Sequence, residues 1–74
     1  MNEENYKYIA LLYKNNESLN ISLQRNSTEE IVAVLESHEY DWNKAILRDN
    51  NEPFTELGHW IKTDKRILWF DLND

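Results

Sequence analysis

Apolar and polar positions change their spacing several times along the 74-residue chain, and each change marks an element. Residues 6 to 13, YKYIALLY, are rich in aromatic and branched side chains, while 19 to 24, LNISLQ, alternate with period two. The two predict an antiparallel hairpin. Asn15 and Asn16 tolerate positive φ and suit a two-residue turn flanked by Lys14 and Glu17. That turn pairs Tyr8, Ala10 and Leu12 with Leu23, Ile21 and Leu19. A three-residue turn slips the pairing by one and brings Ile9, Leu11 and Tyr13 to the shared face instead. Turn chemistry favours the first register and core composition the second, so both stay open. In either, strand one is apolar on both faces and strand two is wet on one, which puts strand one inside the sheet and strand two at an edge.

The stretch NSTEEIVAVLESH switches to helical spacing. Ser27 caps the helix start, and Glu30, three residues on, reaches back to the Ser27 N–H, a capping box. Glu29 and Glu30 also suit the positive end of the helix dipole. Ile31, Val34, Leu35 and His38 fall at i, i+3, i+4 and i+7, one stripe on one face. The β-branched residues weaken the intrinsic helix preference, so burial against the sheet must hold this helix.

Beyond it, Trp42, Ala45 and Ile46 fit a short helix capped by Asp41, but AIL between charges favours a strand from about Asn43 to Arg48. Asp49 to Pro53 is a turn, and Phe54 to Lys62 returns as a strand with Gly58 at a bulge or bend. A helix with Phe54, Leu57 and Ile61 on one side competes, at a cost of about 1 kcal/mol for a mid-helix glycine. After a turn at 62–65, RILWFDL closes the chain as a strand. The sum is an α+β protein of order ββαβββ, an antiparallel sheet with one α-helix packed on one face. A single small domain spans 1–74, with 1–5 and 73–74 expected to fray.

The last strand raises a problem of cover. Leu68, Phe70 and Leu72 share one of its faces and Ile67 and Trp69 the other, so both are apolar. One helix covers one face of a sheet. The second needs a curled sheet, a C-terminal hairpin folded over it, or another molecule. In a curled half-barrel Trp60 and Trp69 are core; otherwise Trp60, Trp69, Ile67 and Tyr8 are the anchors of an aromatic interface with a partner protein or a second copy.

Composition narrows the function classes. Fourteen acidic against eight basic residues give a net charge of −6, which repels phosphate backbones and disfavours nucleic acid as partner. Single strands stacked on Tyr6 beside Lys7, or on Trp69 near Arg66, rank third among the functions for that reason. There is no cysteine, and His38 and His59 stand far apart without a thiolate, so neither a disulfide nor a zinc site is expected. Ser37 and His38 are helix neighbours about 100° apart and cannot act as nucleophile and base. No glycine-rich loop cradles a phosphate, and the reading is of a non-enzyme with no cofactor and no small-molecule substrate. Glu29, Glu30, Glu36, Glu39 and Asp41 form an acidic face, either plainly solvated or able to block a basic site as an inhibitor or nucleic-acid mimic.

The first residues, MNEENYKYIALLYK, carry neither a signal peptide nor a membrane span, which predicts a cytoplasmic protein. Ten asparagines against three alanines and one glycine suggest an AT-rich gene of a low-GC bacterium, phage or other mobile element. The leading expectation is a small acidic accessory module that acts by protein–protein contact.

Overall fold

The computed structural model describes residues 6–72. Five strands and one helix follow in the order β1 (Tyr8–Lys14), β2 (Glu17–Arg25), α1 (Thr28–Glu36), β3 (Lys44–Asp49), β4 (Glu56–Lys62) and β5 (Ile67–Asp71). All neighbouring strands pair antiparallel, in the spatial order β2-β1-β3-β4-β5, which is the α+β architecture expected from the patterning. β1 lies inside the sheet and β2 at an edge. Both ambiguous segments are strands. β5 forms the other edge, so the sheet does not close into a barrel, and of the two tryptophans that a curled half-barrel makes core, Trp60 is buried and Trp69 is exposed. The fraying expected at 1–5 and 73–74 lies outside the described residues.

The first hairpin turns on Asn15 and Asn16, at φ 53° and 71°, and Lys14 faces Glu17 as a two-residue turn requires. Farther along, the register shifts by two: Leu11 pairs with Ser22 and Ala10 with Leu23, with the slack taken up on β2, where Asn20 has φ 58°. The expected partners, Ile21 for Ala10 and Leu23 for Tyr8, are thus displaced. An even shift leaves every side chain on its own face. Ala10, Leu12 and Leu23 therefore share the core side, and Ile9, Leu11 and Tyr13 point the other way.

Side-chain size decides how closely the helix approaches. Across one row of the core face run Leu23, Ala10, Leu47 and Gly58, and across the next Leu12, Ala45, Trp60 and Trp69. Large and small alternate in the first row, and Ala45 separates Leu12 from Trp60 in the second. Ala10 and Ala45, both fully buried, leave room for Ile31 and Leu35 of α1 to reach the sheet. Gly58 serves a second packing need: a Cβ there would meet the Trp69 indole and the Phe70 carbonyl oxygen. The expected irregularity lies beside it, as a register shift between the Leu47–Gly58 and Arg48–Glu56 pairs that turns Leu57 toward the core.

The Ser27 hydroxyl accepts the Glu30 N–H at 3.2 Å and starts α1. The Glu30 carboxylate accepts the N–H of Asn26, one residue before the Ser27 N–H that the capping box called for. At the other end the Ser37 hydroxyl donates to the Val34 carbonyl at 2.6 Å. His38 then takes φ 63°, the left-handed position that follows many helices. It is exposed beyond the helix end, a correction to its place in the apolar stripe. The stripe stops at Leu35, whose carbonyl accepts the indole N–H of the fully buried Trp42 at 3.2 Å. Trp42, on the segment between α1 and β3, thereby satisfies one of the carbonyls that a helix end leaves open.

Candidate interaction surface

Helix and Trp42 lie on one side of the sheet, and the side chains of the opposite parity make up the other side. Three cross-strand rows define it. Gln24, Ile9, Arg48 and Glu56 form the first; Ser22, Leu11, Ile46, His59 and Phe70 the second; Ser18, Tyr13, Lys44, Ile61 and Leu68 the third. On β2 all three positions are polar. On β1, β3, β4 and β5 the apolar residues Ile9, Leu11, Tyr13, Ile46, Ile61, Leu68 and Phe70 form a continuous field. Each is half-buried or exposed, with Phe70 at 46 %, and none belongs to the core or the shell packed on it. No secondary-structure element within residues 6–72 is left over to cover this field.

Polar groups on the field are few. The His59 ring stacks on Phe70, centroids 5.3 Å apart. Lys44 and Arg48 lie on β3 beside Ile61 and Glu56 of β4. Arg48 Nε is buried and has no hydrogen-bond partner among the described residues. A shielded guanidinium nitrogen without an acceptor carries a real desolvation cost, and the cover that shields it belongs to its own chain.

The four anchors named from the sequence all fall on the helix side. Trp60 is 5 % exposed, a core residue. Tyr8 and Ile67 are half-buried and packed on that core, and Trp69, at 41 %, is the one that opens to solvent. Helix α1 lies toward β2, so the β5 end of this face is thinly covered. There Trp69 tilts against Trp60, centroids 4.9 Å apart, and the two line a cleft of about 320 Å³ with Thr28 and Val32. Strand alternation alone places Leu68, Phe70 and Leu72 on one side of β5 and so indicates part of the open patch of the other face. Its continuation through Ile61, Ile46 and Leu11 does not follow from that alternation.

Glu29, Glu30, Glu36, Glu39 and Asp41 are all exposed. Two of them are engaged: Glu30 holds the Asn26 N–H, and Asp41 forms a 2.9 Å ion pair with Lys14. The hydrogen bond and charge of Lys14 hold the Asp41 carboxyl below the usual carboxylate range. His38, Glu36 and Asp64 border an open groove of about 350 Å³ with Lys62, Lys65 and Arg66, a mixed-charge site with three basic and two acidic side chains. His59 lies on the helix-free sheet face, in the row with Ile46 and Phe70. Among the described residues no three histidine, aspartate or glutamate side chains gather as metal ligands, and no helix is long and apolar enough to cross a membrane.

Comparison with protein-family models, curated proteins and solved structures gives no match. The chemistry of the surface is therefore the ground for a functional reading.

Proposed function

We propose that this chain is a small cytoplasmic protein-binding module, an accessory protein that works by protein–protein contact through the helix-free face of its sheet. The observation that carries this reading is the field of seven apolar side chains over four adjacent strands, on the face opposite the one that α1 and Trp42 pack against. An apolar area of that continuity is costly to leave in water and is the usual mark of a docking surface. Phe70, Tyr13 and the His59 ring supply the broad, stiff contacts that dominate protein interfaces. Arg48 and Lys44 add direction, because a partner that sets carboxylates opposite these two cations gains electrostatic complementarity.

The protein's lack of cysteine supplies a direct test. An Ile46→Cys chain carries one thiol at the centre of the field, and an Asn16→Cys chain carries one at the exposed hairpin turn. In dilute buffer a maleimide should label both quickly. In cell extract, or in concentrated protein, labelling at position 46 should slow at least about tenfold while position 16 stays fast. Equal rates at both positions under every condition refute the reading.

A further inference from the structure

The field has a centre and a symmetry. It spans β1, β3, β4 and β5 and stops at the polar face of β2, so its midline runs between β3 and β4. A two-fold axis laid in the plane of the field along that midline places β3 of one copy over β4 of another, and β1 over β5. Residue by residue, the overlay is self-complementary. Leu11 meets the partner's Phe70, Tyr13 meets the partner's Leu68, and Ile46 meets the partner's His59. Arg48 meets the partner's Glu56, a side chain of opposite charge. Lys44 meets the partner's Ile61 in the outer row, where its ammonium can reach solvent. We infer that the occupant of the helix-free face is a second copy of this chain, forming a two-fold sandwich of sheet on sheet with the helices outside.

The inference rests on the protein-contact reading and names the partner. Three physical points favour a second copy. First, isologous pairing repeats the Arg48–Glu56 contact twice, and each polar position of β2 lies beyond the overlap, still wet. Second, repulsion between the two faces is small: each carries Lys44, Arg48 and Glu56, a single excess positive charge on a chain of net charge −6. The unpaired acids Glu29, Glu36 and Glu39 lie on or beside α1, on the far side. Helix and sheet layers about 10 Å thick keep them more than a Debye length, about 8 Å, from their counterparts. Third, the area is sufficient. Strands of seven, six, seven and five residues, at about 3.4 Å per residue and about 4.8 Å apart, give a flat footprint of about 400 Å². Corrugation by side chains raises the total over two copies to about 1,000 Å² or more, the low end for specific interfaces. A contact of this size is expected to dissociate on dilution.

Light scattering on full-length protein from about 1 µM to 1 mM reads the mass directly, with twice the 9.0 kDa chain mass expected at the upper end. Arg48→Glu alone and Glu56→Arg alone should each weaken the dimer at least about tenfold by setting like charges across the interface. Mixed in equal amounts, the two variants should recover a dimer, because both cross-contacts are then of opposite charge. A contact within one chain cannot produce that recovery. As a readout independent of the charge variants, Leu11→Cys and Phe70→Cys chains mixed together should cross-link through a short bismaleimide faster than either alone. A wild-type mass of one chain at every concentration overturns the inference, as does a mixture no more dimeric than its components or cross-linking no faster in the mixture. If the wild type stays monomeric while extract still protects Ile46→Cys, the second copy is refuted and a different protein partner is indicated. If neither extract nor concentration protects it, both readings fall.

Discussion

Replacing Trp42 by phenylalanine tests the account of how α1 ends and how the core is closed. The change keeps an aromatic ring and removes three heavy atoms of the indole, two carbons and the nitrogen that donates to the Leu35 carbonyl. Two buried carbons correspond to about 1.6 kcal/mol of lost transfer and packing energy. The orphaned helix carbonyl, shut away from water beside a residue 1 % exposed, adds about 1–3 kcal/mol. Together the cost is about 3 kcal/mol, against a total stability of about 4–11 kcal/mol for a chain of this length. Melting should fall by about 12–24 °C. Urea titration followed by far-ultraviolet circular dichroism, at a protein concentration where light scattering reads a single-chain mass, gives the difference. Trp69→Phe is the internal control: that ring is 41 % exposed and the replacement keeps its contact with Trp60, so its cost should stay below about 1 kcal/mol. Equal costs for the two, or less than about 1 kcal/mol at Trp42, would refute the assignment of Trp42 as both core anchor and helix-end donor.

Other changes probe separate features. Gly58→Ala should destabilise by about 1–3 kcal/mol, since the added methyl must displace the Trp69 indole and part β4 from the Phe70 carbonyl; a neutral or stabilising result in the same titration contradicts that packing. Ser27→Ala removes the acceptor for the Glu30 N–H and should cost about 1 kcal/mol, read from the same denaturation curve, with Ser27→Asp close to wild type. Asp41 has its carboxyl pKa lowered by Lys14, so the ion pair contributes stability above the unfolded carboxylate range near pH 4 and loses it as pH falls through the lower folded value. Melting followed from pH 7 to 2 should therefore show a wild-type advantage over Asp41→Asn that shrinks in acid and in high salt. An advantage that grows on acidification contradicts the sign.

Local signals were legible in residues close along the chain. The Asn15–Asn16 turn, the Ser27 cap and the alternation of β2 act over four residues or fewer, and the helix-free face of β5 follows from strand alternation alone. Partners set by distant backbone were not. Glu30 reached Asn26 instead of Ser27, and the β2 register slipped by two at Asn20, because neither outcome is decided by spacing. His38 matched the helical period but fell beyond Ser37, where the chain reverses to carry Trp42 into the core.

The sequence by itself determined that this protein is an antiparallel α+β domain with one helix and with strands too apolar for that helix to shelter. Period and turn chemistry are local, and they are enough to set element type and the alternation of faces. Which apolar set is sheltered was decided in three dimensions. Tyr8, Ala10 and Leu12 face α1, and not Ile9, Leu11 and Tyr13, because the alanines at 10 and 45 let the helix approach the sheet and Gly58 makes room for Trp69. That choice buried Trp60 and left Leu11, Ile46, Ile61 and Phe70 as the surface without cover, since one amphipathic helix can shield only one face of a sheet.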